Sequence, residues 1–264
     1  MRFVVASACL ASGLASARIP VVASQVGPIR GTLVLDGGPE ASAALGRRFV
    51  ELAGGANARI VVVPTAMGDD AHDPATLAHY QRLFGDNCCT LLDAADRVEA
   101  DRAAFASPLA TATGVWISGG SPARVADIYW RTTTSRAIRA VLERGGVVGG
   151  SSAGAVVLGA RVPTTQPDRG FAFLTNVIVM AHANRGRARE MLVSEAAASG
   201  MIGVGIPEGT AVIIRRDSVE VVGPGEVIVA SGSNSGAEDY RILREGEHMR
   251  LEHQKAANHT PPRH

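Results

Sequence analysis

The run Gly145-Gly146-Val147-Val148-Gly149-Gly150-Ser151-Ser152-Ala153-Gly154-Ala155-Val156-Val157-Leu158 constrains this chain more than any other stretch. It reads as a short buried strand that enters a turn of small residues and continues as an apolar helix. Gly150, Ser152 and Gly154 form G-x-S-x-G, the pattern of a nucleophile elbow. The serine at such an apex is held in a strained backbone conformation that pushes its hydroxyl clear of the sheet. The following amide, that of Ala153, then points to where an oxyanion would form. Strand and helix approach this closely only through small residues, and Gly150, Ala153, Gly154 and Ala155 are all small. The same run also fits a glycine-rich turn without chemistry, or a loop whose amides cradle a phosphate. Ser151 sits one residue early for the pattern.

What surrounds the elbow decides among these readings. The sequence has 264 residues, 46% of them hydrophobic, enough for one large core of an α/β domain. Strands are expected at residues 31–36, 59–64, 89–92 and 114–118, with helices at 39–53, 74–84 and around 93–105. A further long helix starts at Ser121-Pro122 and runs to about residue 144. Residues 65–73 read as a polar loop. Four strands before the elbow, each followed by a helix, describe a doubly wound, mostly parallel sheet flanked by helices. Ser152 then lies at its carboxyl edge, where ligands of such sheets collect. After residue 208 the short apolar runs 211–214, 218–222 and 226–229 suggest an antiparallel finish to the sheet.

A reactive serine needs a base, and of seven histidines only His182 ends a strand (176–181) downstream of it. His72 and His79 fall in an early loop and helix. His248, His253, His259 and His264 fall in a polar C-terminal region. The orienting acid is open between Glu208, which closes the next apolar strand, and Asp168, in the loop 163–170; Glu195 lies within the helix 187–198. An α/β-hydrolase esterase would instead pair Asp217 or Asp239 with His248.

The elbow Gly-Gly-Ser-Ser-Ala-Gly-Ala, the strand end Ile117-Ser118-Gly119-Gly120, the segment from Gly170-Phe171-Ala172-Phe173-Leu174 to His182, Arg185-Gly186-Arg187, and Gly205-Ile206-Pro207-Glu208-Gly209-Thr210-Ala211 occur in this order. Together, over roughly residues 31–231, they resemble the cyanophycinase and aspartyl dipeptidase (peptidase E) family of serine peptidases. The resemblance implies a fold similar to the class I glutamine amidotransferases and a Ser-His-Glu triad of Ser152, His182 and Glu208, favouring Glu208 over Asp168. It further implies oxyanion donors at Ala153 and at Gly119 or Gly120. Small peptides or a β-linked aspartyl polymer would be the substrates, with hydrolysis through an acyl-enzyme and no cofactor. The sequence departs from the family where cyanophycinases usually carry Asp-Gln before the histidine and a Gly-Gly-Asp-Gln strand end. Here those positions read Met180-Ala181 and Gly119-Gly120-Ser121-Pro122. Ser121, Arg185 and Arg187 are the remaining candidates for substrate binding, the arginines by pairing with carboxylates. A non-catalytic secreted binding protein on the same scaffold is the other class kept open.

Residues 1–17, with one arginine, an apolar middle and an Ala-Ser-Ala ending, resemble a signal peptide, or a misassigned start. A signal peptide implies a secreted or periplasmic protein, with residues 18–243 as the peptidase-like domain and 244–264 as a polar tail. Cys88 and Cys89 read as free or buried thiols. Nothing suggests a transmembrane segment, and a net charge of +1 gives no reason to expect nucleic acid. The Asp69-Asp70-Ala71-His72-Asp73 cluster lies in one loop and is not read as a metal site. Whether the chain acts as a monomer or a homodimer is open.

Overall fold

The computed structural model describes residues 25–39, 41–85, 89–163, 169–232 and 240–252. The expected signal peptide, Cys88, Asp168 and Asp239 lie outside these residues. The first half of the chain alternates β1 (Thr32–Asp36), α1 (Ala43–Leu52), β2 (Ile60–Val63), α2 (Pro74–Phe84), β3 (Thr90–Leu91), two short helices α3 (Arg97–Ala100) and α4 (Ala103–Ala106), β4 (Gly114–Ile117), α5 (Pro122–Tyr129), α6 (Thr133–Glu143) and β5 (Val147–Ser151). Then come α7 (Ala153–Val156), β6 (Val177–Ala181), α8 (Ala188–Ser199), β7 (Ile202–Ile206), β8 (Ala211–Arg215), β9 (Ser218–Val222), β10 (Val227–Ala230), β11 (Tyr240–Leu243) and β12 (His248–Arg250).

Among the described residues the larger sheet has the order β12-β9-β8-β1-β5-β4-β2-β3. Its β1, β5, β4, β2 and β3 run parallel, and β8, β9 and β12 add an antiparallel edge. β1, β2, β4 and β5 are buried at every position because both faces of the sheet are covered. Val34, Ile60, Val62 and Trp116 pack with Phe49, Tyr80 and Phe84 of α1 and α2. Their neighbours Leu33, Leu35, Val61, Val63, Val115 and Ile117 face the opposite cluster, with Val125, Tyr129 and Ile138 of α5 and α6. Alternate side chains of one strand thus serve two cores, as period-2 geometry requires.

The elements differ from sequence expectation in six places, one being that the single helix expected around residues 93–105 is two short helices, α3 and α4, separated at Asp101-Arg102. Strands β6 and β7 do not join the large sheet; with β10 and β11 they form a second sheet of order β11-β10-β7-β6. One apolar cluster nevertheless runs through both sheets, joining Val177, Val179, Val204 and Ile206 to Leu33, Leu35 and Ile117. The expected long helix ending near residue 144 is two helices. It breaks at Trp130-Arg131-Thr132, where Arg131 has φ 57° and the Thr132 side chain accepts from Ser135 N–H to cap α6. The helix expected from residue 39 begins at Ala43, capped by Ser42, after the cis Gly38–Pro39 bond. Residues 65–72, expected as a loop, wind as 3₁₀ turns. Finally, ordered structure continues into the expected tail: β12 pairs with β9, Met249 packs against the core, and Leu251 is buried. Cys89 is disulfide-bonded rather than a free thiol. Among the described residues no helix is long and apolar enough to cross a membrane.

Candidate active site

Strand β5 ends at Ser151, and Ser152 turns the chain into α7 with φ 49° and ψ −111°, a region that residues with a side chain rarely enter. The chain stays there because the turn is held from several sides. Ser152 N–H donates to the Asp36 carbonyl at 2.9 Å, and the Ser152 carbonyl accepts from Ala155 and Val156 N–H, both at 3.0 Å. Glycine is obligatory on either side. A Cβ on Gly150 would lie 2.6 Å from the Gly154 carbonyl carbon, and one on Gly154 only 2.1 Å from the Ile117 carbonyl oxygen.

His182 follows β6 with φ 53°, its N–H donating to the Gly37 carbonyl at 3.2 Å. The parallel register of β6 and β7 pairs Ala181 with Ile206, so the residues just beyond each strand end, His182 and Glu208, emerge on the same edge. His182 Nε2 lies 2.8 Å from Ser152 Oγ, and its Nδ1 lies 2.6 Å from Glu208 Oε1. An ionised carboxylate only accepts hydrogen bonds, so Nδ1 carries the proton and Nε2 is left to accept from the serine hydroxyl. This arrangement can draw the hydroxyl proton onto the imidazole and offset the resulting charge at the carboxylate. Glu208 is fixed in turn by its own N–H, which donates to Asn184 Oδ1 at 3.0 Å, and by Arg185 Nη2 at 2.5 Å from Oε1.

The structure therefore brings Ser152, His182 and Glu208 together. Gly119 adjoins them, since a Cβ there would lie 3.5 Å from Ser152 Cβ. Gly120, at φ 131°, backs onto the Ala66 carbonyl. Ala153 N–H belongs to the first turn of α7, whose amides have no acceptor within the helix. Ser121 spends its side chain as the N-cap of α5, accepting from Arg124 N–H. Arg185 is drawn to Glu208 while remaining 64% exposed, and Arg187 is exposed at the start of α8.

The esterase layout is not assembled. His248 is on β12, four strands away from β5, about 19 Å at ordinary strand spacing. Asp217 accepts from the N–H groups of Val26 and Gly27 instead. His72, from the acidic cluster, pairs with Asp93 at 3.1 Å. Among the described residues no three histidine, cysteine or acidic side chains gather to hold a metal.

Three neighbours of the site were not singled out from sequence. Asn184 props Glu208. Gly38 lies so close that a Cβ would be 2.9 Å from His182 Cε1 and 3.1 Å from Ser152 Cβ. Asp36, at the end of β1, is buried, and its burial pushes the carboxyl above the usual carboxylate range. The Ser151 hydroxyl, the Gly38 N–H and the charge of His182 offset part of that rise. Ser151 Oγ faces the carboxyl without completing a hydrogen bond by distance and angle. The one advance signal for these three was position: each lies within two residues of a strand end or of the histidine.

Residues 34–222 match the sequence profile of peptidase family S51. The chain is 28% identical over 205 residues to a cyanophycinase of Geminocystis herdmanii, covering 70% of this chain and 74% of that protein. To a cyanophycinase of Synechococcus elongatus it is 30% identical over 200 residues, covering 69% of this chain and 61% of that one. The crystal structure of a peptidase from an acI-B1 Actinobacterium superposes with a TM-score of 0.65 at 25% identity, over 86% of this chain and 98% of the other. A putative peptidase E protein from Listeria monocytogenes shares the fold, with a TM-score of 0.56 at 17% identity over 74% of this chain and 99% of the other.

Proposed function

Because the chain belongs to peptidase family S51 and is thereby a serine-type peptidase, we propose that it is a cyanophycinase-like exopeptidase that hydrolyses a peptide or isopeptide bond of an aspartyl substrate through an acyl-enzyme on Ser152. The observation that carries the reading is the pair of contacts from Ser152 Oγ to His182 at 2.8 Å and from His182 to Glu208 at 2.6 Å. Ser152 Oγ attacks the scissile carbonyl while His182 Nε2 takes its proton, and Glu208 holds the imidazolium. The amides of Ala153 and of Gly119 or Gly120 receive the carbonyl oxygen as it gains charge. The proton then passes from His182 to the leaving amine. Water, deprotonated by the same imidazole, cleaves the ester and releases the acid.

The aspartyl preference rests on similarity to the cyanophycinases and on two cationic side chains beside the histidine. Arg185 engages Glu208 through one nitrogen, which leaves further donors of its planar fork for a substrate carboxylate. Arg187, two residues on, is exposed. Met180 and Ala181 replace the acidic and amide side chains expected before the histidine, so the arginine-linked unit of cyanophycin meets fewer polar partners. Sites that read substrates by hydrogen bonds discriminate through those bonds, and smaller aspartyl dipeptides are the better-matched substrates.

Two measurements test this together. Purified protein is incubated with cyanophycin and with α- and β-aspartyl dipeptides, and the products are separated. A fluorophosphonate probe is applied to the wild type and to Ser152→Ala. Labelling confined to the wild type, with release of aspartyl products, is the expected result. An unlabelled wild type would favour a binding protein on a peptidase scaffold and end the catalytic reading.

A further inference from the structure

Asp36 is the only buried acid among the described residues, at 2% exposure, and the proposed reaction makes no use of its carboxyl. A buried carboxyl is unfavourable unless its oxygens find partners. Here Oδ2 accepts from Gly38 N–H at 3.3 Å. That contact closes the two residues of turn that leave β1, and the turn is tied to every part of the site. The Asp36 carbonyl accepts from Ser152 N–H at 2.9 Å, the Gly37 carbonyl from His182 N–H at 3.2 Å, and the Gly38 carbonyl from Gly209 N–H, next to Glu208, at 3.1 Å. Gly37 N–H donates to the Thr210 carbonyl at 3.0 Å. Meanwhile the Gly38 backbone fills the space beside both the imidazole and the serine, leaving no room for a methyl group.

We infer that Asp36 is a positioning residue: by fixing the Gly38 N–H, its carboxyl sets the Asp36-Gly37-Gly38 turn, from whose successive carbonyls Ser152, His182 and the Glu208-Gly209 turn are hung at the spacing their contacts need. The inference rests on Ser152 being the nucleophile. It deepens that reading by giving the strand order a purpose: β1 lies beside β5 in the large sheet, and its outgoing turn reaches across to the end of β6 in the small one. A merely structural carboxyl would affect how well the protein folds. A positioning carboxyl affects how fast a folded protein's serine reacts.

The test is the second-order rate of fluorophosphonate labelling, measured on folded wild type, Asp36→Asn, Asp36→Ala and Ser152→Ala. This rate is independent of which amide is the substrate. Asp36→Ala is expected to slow labelling roughly 10- to 100-fold, the scale of a displacement of about 1 Å between reacting groups. Asp36→Asn keeps a side-chain oxygen able to accept from Gly38 N–H and is expected to retain most of the rate. Wild-type labelling by Asp36→Ala, or equal slowing by both variants, overturns the inference and leaves the Ser152 reading intact. Undiminished labelling of Ser152→Ala instead overturns the Ser152 reading and takes the inference with it. Where Asp36→Ala does not fold, Gly38→Ala carries the test with Asp36 in place. Its added methyl must displace the His182 ring, so labelling at the wild-type rate would refute a positioning role for the turn.

Discussion

Replacing Gly154 with alanine is a sharp probe of the elbow, because the position leaves no room for adjustment. The new methyl carbon would sit 2.1 Å from the Ile117 carbonyl oxygen, 2.7 Å from its carbon and 2.9 Å from the Ser118 carbonyl oxygen. All three are backbone atoms in the middle of the sheet edge. Carbon and carbonyl oxygen ordinarily approach no closer than about 3.3 Å, so α7 and β4 must part by about 1 Å. Inserting one methyl into a packed core costs about 1–3 kcal/mol when side chains can yield, and backbone yields less, so about 3 kcal/mol or more is expected. For a domain of this size each kcal/mol lowers Tm by roughly 2–4 °C, which puts the expected loss at about 6–12 °C by thermal denaturation followed by circular dichroism. The same opening tilts Ser152 away from His182, so fluorophosphonate labelling of the folded variant should fall with it. Gly186→Ala serves as the comparison, since its methyl would meet nothing within 4 Å and pays only for its positive φ. If Gly154→Ala melts and labels like Gly186→Ala, the close strand-to-helix contact is not what holds the serine in its strained conformation.

Three further outcomes follow from the same geometry. Glu208→Gln, which keeps the shape but loses the charge and lets the imidazole bind in the wrong tautomer, should lower kcat by roughly 10²- to 10⁴-fold; a loss under threefold in steady-state assays would remove Glu208 from the relay. His248→Ala should leave turnover unchanged, and a marked fall would revive the esterase arrangement. Asp36→Asn should change the pH dependence of stability in a definite direction. The folded pKa of Asp36 is raised above 3.8, so the native state binds the extra proton between the two values, and wild-type stability declines as pH rises through that interval. Denaturant titrations should therefore show the asparagine variant gaining on the wild type as pH rises above about 4. A gain by the wild type instead would mean that the carboxylate is stabilised by its surroundings.

The geometry of the candidate site was legible in the sequence where local sterics carry it. Gly150, Ser152 and Gly154 announce the elbow because no larger residues fit, and His182 and Glu208 announce themselves by ending strands whose apolar runs are plain. The parts that were not legible depend on distant pairing. Nothing in the sequence of β6 says that its neighbour is β7 in a separate sheet rather than β5, since both sheets call for the same β-branched residues. The break at Trp130-Arg131-Thr132 has no glycine or proline to mark it, and it is made by Thr132 capping and by Arg131 taking a left-handed conformation. His248-Met249-Arg250 reads as polar tail because an edge strand shows water one face, and only Met249 turns inward. Arg185 is set beside the histidine by sequence, but that its guanidinium turns to Glu208 is a matter of side-chain geometry. Asp36 looked like the end of a strand, and its burial depends on β8 passing on its other side.

Ser152 belongs to one sheet, while His182 and Glu208 follow adjacent strands of the other. On the proposed reading, any opening that parted the end of β6 from the turn after β1 would withdraw the imidazole from Ser152 and silence it, although no residue of the elbow had moved.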